Sequence, residues 1–217
     1  MADHPWFTTG KLRYDDILKT LPPLLGGDRT WELTEQIMTC MIVSPDDNVL
    51  ELGSNIGRVS TIVSKILSSG TGILHMIEPD SSHIQILKEN VKATGMTQDR
   101  FFVFEGALAT QQVFTFPNPG WIYCKNSIEW TEYRNKYCSV PFDVLICDCE
   151  GGLYTIVKQD RNFLDQFNRI LLENDFHDVN EKEYVHALLT QKGFRVVFQK
   201  ELLDDPRTDF FQLWSKR

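Results

Sequence analysis

The stretch Asn48–Gly57 constrains what this chain can fold into more than any other part of the sequence. The apolar run Val49–Leu52 contains one acid and is followed by Gly53 and Gly57, which bracket three residues. A buried strand, a tight turn and the first turn of a helix are the usual structure of such a pattern. Glycine permits a sharp turn and lets a ligand lie against the backbone, while the helix offers free N–H groups. The stretch therefore predicts a nucleotide-type binding site.

Three interpretations of this glycine turn stay open. A dinucleotide site has the pattern G-x-G-x-x-G, but Asn55 and Arg58 occupy the positions of its second and third glycines. S-adenosylmethionine (SAM) has no phosphates and suits the G-x-x-x-G spacing better, because an acid can receive its ammonium and backbone N–H groups its carboxylate. The third interpretation is an ordinary turn without a ligand. The candidate SAM contacts in this stretch are Glu51, Gly53, Ser54, Asn55 and Gly57.

Composition and charge limit the class of protein. The 217 residues are enough for one α/β domain, and the hydrophobic content of 42% and charged content of 24% are ordinary for a globular protein. The net charge of −8 and the pI near 5.1 disfavour a nucleic-acid or anionic-membrane partner. No apolar run is long enough to span a membrane, and residues 1–10 lack the apolar core of a signal peptide. We expect a cytoplasmic protein with a single domain over residues 1–217.

The five cysteines indicate reduced thiols, because their number is odd and their spacing fits no disulfide framework. Cys147 and Cys149 could form half of a metal site, but no second pair of cysteines or histidines is close to them in the sequence. Buried core cysteine is therefore the favoured interpretation.

Apolar segments of helix and strand length alternate along most of the chain, with turn residues between them. Helices are predicted over Tyr14–Leu21, Thr30–Val43, Ile56–Leu67, Ser81–Thr94, Leu153–Gln159 and Asn180–Gln191. Strands are predicted over Val49–Leu52, Ile73–Ile77, Phe101–Phe104, Phe142–Cys147, Phe167–Leu172, Gly193–Phe198 and Phe210–Trp214. This alternation predicts a parallel sheet with helices on both faces, and a turn at 204–207 allows the last strand to return antiparallel. Residues 1–45 are expected to form an N-terminal helical cap.

An acid ends or follows each of the first five predicted strands: Glu51, Glu78, Glu105, Asp148 and Glu173. Ligands of parallel α/β sheets bind at the carboxyl ends of the strands. Glu78, with Pro79 behind it, can accept both ribose hydroxyls of a nucleoside, whether of SAM or of NAD; the alternative is an acid that favours a helix dipole. Gly106 and Ala107 leave room for a flat adenine, or form a plain turn.

Methyl transfer from a sulfonium to oxygen needs an aligned acceptor, a dry site and a group that takes a proton. Asp148 and Glu150 lie where the methyl group is expected, and either can accept a hydroxyl proton; the alternative is a helix-capping acid beside a solvent-facing one. His177 is a further candidate base, or an incidental loop histidine. Asp148, Glu173 and Asn174 offer three oxygen ligands for Mg²⁺ or a similar cation, unless the two acids bind loop backbone instead.

Five segments of the sequence resemble the FkbM-type SAM-dependent methyltransferases. They are Val49–Gly57, Ile77–Asp80, Glu105–Leu108, Asp148–Gly151 and Ile170–Glu173, and the resemblance covers roughly residues 46–200. The glycine turn is common to many methyltransferases, whereas the Glu-Pro-Asp and Asp-x-Glu-Gly segments in this order are more specific. Leu153 and Tyr154 stand where that family usually has another acid, and the aromatic-rich residues 108–141 match no pattern of the family.

The resemblance implies the class I methyltransferase fold, a Rossmann-like α/β fold whose seven-stranded sheet is mostly parallel with an antiparallel last strand. It implies SAM bound by the glycine turn, with Glu78 on the ribose, and O-methylation, often of sugar hydroxyls in glycans or natural products. The pair Glu173 and Asn174 also resembles the ligands of cation-dependent catechol- and sugar-type O-methyltransferases. An amino-methylating nucleic-acid enzyme is expected to carry an Asn/Asp-Pro-Pro-aromatic motif after the fourth strand, which this chain lacks.

These observations predict a SAM-dependent O-methyltransferase that acts on a hydroxyl of a small molecule or, in particular, of a sugar in a glycan. Residues 108–141, together with the N-terminal segment, are expected to shape the acceptor pocket, because aromatic faces stack on sugar C–H groups; a covering hydrophobic flap is the alternative. Two other functions stay open: a nicotinamide-dependent oxidoreductase and a catalytically silent SAM-binding partner subunit.

Overall fold

The structure is a computed structural model that describes residues 4–109, 112–115, 120–201 and 209–216, with the backbone alone for 114, 115 and 120–122. The helices in this part of the chain are α1 (Pro5–Leu18), α2 (Leu33–Ile42), α3 (Arg58–Leu67), α4 (Ser81–Ala93), α5 (Trp130–Tyr137), α6 (Gly152–Gln159) and α7 (Val179–Gln191). The strands are β1 (Val49–Leu52), β2 (Leu74–Glu78), β3 (Phe101–Glu105), β4 (Gln112–Thr115), β5 (Gly120–Tyr123), β6 (Val144–Cys147), β7 (Arg169–Glu173), β8 (Phe194–Lys200) and β9 (Phe211–Lys216). Short 3-10 turns cover Gln98–Arg100 and Phe163–Gln166.

Seven of the strands form one sheet in the order β3-β2-β1-β6-β7-β9-β8. The strands β3, β2, β1, β6 and β7 pair in parallel, and β9 pairs antiparallel with both β7 and β8. The order reverses at β1, so that the chain leaves β1 towards β2 on one side and returns through β6 on the other. This arrangement confirms the predicted seven-stranded sheet with an antiparallel last strand, and it places the predicted ligand site at the reversal point.

Two hydrophobic cores cover the two faces of the sheet, as the prediction of helices on both faces requires. The first core packs residues of α1 to α4 against strand residues such as Val49, and the second packs α5 to α7 against residues such as Leu50 and Leu52. Because side chains alternate along a strand, Glu51 shares the face of Val49 and points towards α3. This acid is therefore held beneath the glycine turn and does not extend from the strand end.

The first helix begins earlier than the predicted Tyr14–Leu21. It begins at Pro5, and the N–H group that proline lacks would have had no partner within the helix. The Nδ1 atom of His4 accepts a hydrogen bond from the backbone N–H of Trp6 at 3.2 Å. The buried side of α1 includes Gly10, on which a side chain would overlap the Met41 side chain of α2. A glycine in the helix interior weakens the sequence pattern for a helix, although tertiary packing requires it here.

Residues 108–141 contain regular structure that the sequence pattern missed. The strands β4 and β5 pair as an antiparallel hairpin, and α5 follows. Trp130 and Tyr133 of α5 are buried in the second core, against Phe142 and Phe163. The described aromatic side chains of this segment therefore include structural ones, and the prediction that the segment shapes an acceptor pocket stays a prediction.

The remaining boundaries differ from the predicted ones by a few residues. β6 begins at Val144 and not at Phe142, β7 ends at Glu173, and β8 continues to Lys200. The predicted turn at 204–207 lies outside the described residues. Within the part of the chain that is described, no helix has both the length and the apolar character to cross a membrane.

Candidate functional site

The glycine turn joins β1 to α3 and is fastened to the neighbouring strand β2. The backbone N–H groups of Gly53 and Ser54 donate to the carbonyl of Ile77 at 3.0 and 3.2 Å. Gly53 and Gly57 adopt left-handed φ values of +83° and +91°, and Asn55 adopts φ +48°. Asparagine tolerates this conformation better than most residues, and the Asn55 side chain accepts from the next backbone N–H at 2.7 Å. The G-x-x-x-G turn predicted from the sequence is thus present, with Asn55 in a left-handed conformation inside it.

Gly53 is also the point at which the two central strand ends meet. A Cβ atom on Gly53 would overlap the carbonyl oxygen of Asp148, the residue after β6. The backbone N–H of Asp148 donates to the carbonyl of Leu52 at 3.1 Å, which continues the ladder between β1 and β6. Glycine is therefore required here by the close approach of two backbones as well as by its positive φ.

Glu78 ends β2 and directs its carboxylate at the glycine turn. Its Oε2 accepts from the backbone N–H of Asn55 at 2.6 Å, and its Oε1 accepts from the backbone N–H of Asp80 at 2.7 Å. Nδ1 of His83 lies 3.6 Å from the same Oε1. A carboxylate has about four acceptor positions, so two remain for hydroxyl donors of a ligand.

A cavity of about 1020 Å³ opens at this edge of the sheet. Of the predicted site residues, it is lined by Gly53, Asn55, Glu78, Pro79, Gly106, Ala107, Asp148, Glu150, Glu173 and His177. The predicted contacts Glu51 and Ser54 are buried behind the turn, and Oε2 of Glu51 and Oγ of Ser54 have no hydrogen-bond partner among the described residues. Gly57 forms the N-cap of α3. Burial raises the pKa of Glu51 to about 8, against a smaller opposing effect of Ser60.

Gly106 and Ala107, which follow β3, form part of the cavity wall. The backbone N–H of Gly106 donates to the carbonyl of Glu78 at 2.9 Å, and that of Ala107 donates to the carbonyl of Asn126 at 3.1 Å. A Cβ atom on Gly106 would lie 2.5 Å from the carbonyl oxygen of Asn126. The small residues here are thus required by the backbone packing, and they also leave the neighbouring cavity open.

A cluster of carboxylates borders the cavity: Glu32 and Asp148 line it, Glu35 is buried next to them, and the two glutamates come from the N-terminal segment before and within α2. One carboxylate oxygen from each of Glu32, Glu35 and Asp148 lies within 4.8 Å of the others. Burial raises the pKa of Glu35 and of Asp148 well above the usual range, and the neighbouring acids raise both further. Glu173 shares a hydrogen bond with Asp148, and burial also raises its pKa well above the usual range. Burial and the neighbouring acids therefore disfavour the charged forms of these carboxyl groups in the ligand-free protein.

Sequence reasoning missed Glu32 and Glu35, which precede and begin α2. Glu32 is the N-cap with φ +59°, and Nη1 of Arg58 lies 3.7 Å from its Oε1. Glu35 is 2% exposed, although it stands in the first turn of a helix, where an acid is usually solvated. A signal was present: two acids three residues apart share one face of a helix, and that face carries the apolar residue Met38.

Glu150 and His177 lie close together near the start of α6. Glu150 has φ +51°, and burial raises its pKa, against the opposing charge of His177. Nδ1 of His177 lies 3.2 Å from the Oε2 of Glu181, in the first turn of α7. Burial, with the charge of Glu150 as the next cause, raises the pKa of Asp175 to about 7. The predicted base candidates therefore share one wall of the cavity with a further acid.

Asn174 is engaged away from the acids with which the sequence grouped it. Its Nδ2 donates to the carbonyl of Asp209 at 2.5 Å, and its Oδ1 lies 2.9 Å from Nε2 of His186. Cys147 is buried in the second core, as predicted, whereas Cys149 lies beside the cavity with its Sγ 3.4 Å from that of Cys147. The oxygen donors that accompany Asp148 are those of Glu32, Glu35 and Glu173.

Comparisons with known proteins support the fold. No family model matches the chain, and no curated protein matches it in sequence. A candidate O-methyltransferase from Klebsiella pneumoniae has 13% identity and a TM-score of 0.57 over 100% of this chain and 92% of that one. The methyltransferase FkbM from Methylobacillus flagellatus has 12% identity and a TM-score of 0.57 over 96% of this chain and 59% of that one.

A further solved structure is that of Aeropyrum pernix fibrillarin with natively bound S-adenosyl-L-methionine. It has 16% identity to this chain and a TM-score of 0.51, over 85% of this chain and 74% of that one. Likeness at such low identity concerns the fold and not the reaction. This chain therefore has the Rossmann-like methyltransferase fold, as the sequence predicted.

Proposed function

We propose that this protein is a SAM-dependent methyltransferase that transfers a methyl group to a hydroxyl. The observation that carries the proposal is the glycine turn together with Glu78. The turn exposes bare backbone at Gly53, and Glu78 is fastened to the turn with acceptor positions left for two ribose hydroxyls. The methyltransferase fold of the solved structures supports the same assignment.

The charge of the cavity favours SAM over a nicotinamide dinucleotide. Seven carboxylates line the cavity: Glu32, Glu78, Asp80, Asp148, Glu150, Glu173 and Asp175. Arg58 is the single lysine or arginine among the described lining residues. A diphosphate would find few cationic partners here, whereas these carboxyl groups can receive a sulfonium and an ammonium.

SAM, when bound, supplies an electrophilic methyl group, and the residues of this chain align the acceptor and take its proton. The S–CH₃ bond breaks as the C–O bond forms, and the hydroxyl proton passes to a carboxylate. The backbone of Asp148 lies against Gly53, Glu150 lines the same cavity, and these two acids are the candidate acceptors of that proton. A base with a raised pKa is better matched to this step at neutral pH than an ordinary carboxylate.

The acceptor that we propose is a sugar hydroxyl in a glycan, as the FkbM-type resemblance implies. A cavity of about 1020 Å³ lies at the upper end of the roughly 300–1,000 Å³ typical of ligand pockets, so it has room for SAM and part of an acceptor. Trp31 and Phe176 line it and offer aromatic faces for sugar C–H groups.

Calorimetric titration with SAM, S-adenosylhomocysteine and NAD tests the cofactor. We expect micromolar binding of the first two and none of NAD, with at least tenfold weaker SAM binding in Glu78→Gln, which removes one acceptor from the ribose site. Glu89→Gln on the exposed side of α4 is the matched control, and thermal denaturation of each variant reports folding. Preference for NAD, or unchanged SAM affinity in Glu78→Gln, would contradict this assignment.

The transferase activity is then tested with SAM and a panel of hydroxyl compounds that includes glycans. Product is expected from at least one sugar acceptor, and less of it from Asp148→Asn and Glu150→Gln. SAM binding without methylation of any acceptor would instead favour a silent SAM-binding subunit.

A further inference from the structure

We propose that Glu32, Glu35 and Asp148 bind a divalent cation at the border of the cavity, beside the acceptor. The site differs from the predicted set Asp148, Glu173 and Asn174, because two of its three ligands come from the N-terminal helical segment. Cation binding itself does not depend on the proposed function, but its role in methyl transfer rests on that function.

The spacing of the three carboxylates fits a metal ion. Their nearest oxygens lie within 4.8 Å of one another. Ca²⁺ binds oxygen at about 2.3–2.6 Å and Mg²⁺ at about 2.0–2.1 Å, so two ligands on opposite sides of an ion lie about 4–5 Å apart. An ion placed among these oxygens can therefore reach all three with small side-chain movements. The ligands are carboxylate oxygens throughout, which favours Mg²⁺, Ca²⁺ or Mn²⁺ over softer metals.

The burial of Glu35 is an independent sign of a ligand. This side chain is 2% exposed, and its Oε2 has no hydrogen-bond partner among the described residues. A buried polar atom without a partner costs free energy, and an ionised one costs much more. Glu35 nevertheless directs a carboxylate oxygen at Asp148 and Glu32. A cation at this point would supply the missing partner.

The arginines near the cluster do not neutralise all of its acids. Arg58 lies 3.7 Å from Glu32, and its Nε donates to the carbonyl of Asp28. Arg29, on the same side, donates to Thr61. Three further acids, Glu51, Glu173 and Asp175, act electrostatically on the cluster and raise the pKa of its members. Arg58 reaches the edge of the cluster at Glu32, and the Glu35–Asp148 side has acids as its charged neighbours.

A cation here would explain how a hydroxyl with an ordinarily high pKa can react. A bound divalent ion lowers the pKa of an oxygen that coordinates it and orients that oxygen. The acceptor hydroxyl would then lose its proton more readily to Glu150, which also lines the cavity. The same ion would hold Asp148 in its ionised form.

The test is to titrate chelator-treated protein with MgCl₂, CaCl₂ and MnCl₂ in the absence of SAM. Calorimetry measures the binding, and thermal denaturation measures the change in Tm. Electron paramagnetic resonance of Mn²⁺ counts the bound ions directly. We expect one ion per chain, and a rise in Tm with at least one of these salts that KCl at equal ionic strength does not produce. Failure of SAM binding in the separate titration would affect the proposed function and not this result.

Variants locate the ion. Glu35→Gln is expected to weaken cation affinity at least tenfold and to abolish the cation-dependent rise in Tm, while Glu183→Gln, on the exposed side of α7, leaves both unchanged. Glu32→Gln, nearer the surface, gives the same comparison should Glu35→Gln fail to fold. Absence of binding in the natural protein, or equal affinity in both cluster variants and the control, would overturn the proposal and leave a cationic group of the acceptor as the partner of these acids.

Discussion

At the scale of single residues, the backbone of the glycine turn leaves no space for a side chain at position 53. Gly53 combines a φ of +83° with a direct approach to the carbonyl of Asp148. Gly95, at the end of α4, has a similar φ of +88°, but no atom lies within 4 Å of the place where its Cβ would be. Substitutions at these two glycines can therefore distinguish the free-energy cost of a left-handed backbone from the cost of steric overlap.

Gly95→Ala is expected to lower the free energy of unfolding by about 1–2 kcal/mol, the cost of a left-handed conformation. Gly53→Ala is expected to lower it by about 3 kcal/mol or more, because the strands β1 and β6 must also move apart. Urea denaturation of both variants measures the difference, and calorimetry is expected to show that only Gly95→Ala still binds SAM. Equal losses of stability would mean that the overlap at Gly53 is relieved without cost.

Asn55 shows how far the residue pattern could be interpreted before the fold was known. Asparagine at position 55, where a dinucleotide fingerprint has its second glycine, argued against that fingerprint. In the structure Asn55 adopts φ +48°, a left-handed conformation that glycine often adopts. Local conformation of this kind depends on a few neighbouring residues, so the sequence pattern predicted it. The hydrogen bond from the Asn55 N–H to Glu78 joins residues that are 23 positions apart in the chain. The sequence predicted that Glu78 lies at the site, but it did not predict this hydrogen bond.

At the scale of elements, the N-terminal helix α1 holds the helix that carries Glu35. Nη1 of Arg13 donates to the carbonyls of Cys40 and Val43, both at 2.7 Å, at the C-terminal end of α2. These carbonyls have no partner within α2, and a cation at the negative end of the helix dipole is favourable. Arg13 thus fastens α1 to the C-terminal end of α2.

Arg13→Ala is expected to lower the free energy of unfolding by about 2 kcal/mol, because it removes charged hydrogen bonds and leaves two carbonyls without a partner. Lys11→Ala is the control: Lys11 pairs with Asp15 at 2.9 Å on the exposed side of the same helix, and such pairs contribute little. Denaturant unfolding of both variants tests this. A loss for Lys11→Ala as large as for Arg13→Ala would assign the effect to α1 itself and not to its contact with α2.

At the scale of the whole molecule, buried acids on one side of the sheet make stability depend on pH in an unusual direction. Glu51 is 3% exposed, and its pKa in the folded protein is about 8, above its usual value of 4.5. The folded state then holds a proton that the unfolded state has lost. The stabilisation is complete below the unfolded pKa and is lost as pH rises through about 8.

The ligand-free protein in chelator is therefore expected to lose stability between pH 6.5 and pH 8.5. The slope is about 1.4 kcal/mol per pH unit for each proton held by the folded state. Glu51→Gln is expected to reduce this slope by the amount that one proton contributes, whereas Glu89→Gln on the surface is expected to leave the slope unchanged. Urea denaturation at several pH values measures the slopes, and stability that rises over this range would contradict the burial of these acids as the cause.

Local patterns in the sequence predicted the alternation of strands and helices, the glycine turn, and the acids at the strand ends. These features follow from local periodicity and from turn chemistry, which neighbouring residues dictate. They were sufficient to predict the sheet, its antiparallel last strand and ten of the residues that line the cavity. The early start of α1 was not predicted, because Gly10 weakens the helical pattern there. The hairpin β4–β5 was not predicted, because the aromatic residues of 108–141 follow no regular period.

The tertiary structure alone decided which acids meet. Glu35 lies 113 residues before Asp148 in the chain, and no periodicity within α2 reveals that the two carboxylates face each other. Asn174 follows Glu173 directly, yet its side chain turns to His186 because successive residues at a strand end point to opposite faces. Contacts of this kind arise from the packing of α2 and α7 onto the sheet, which is a property of the folded chain as a whole.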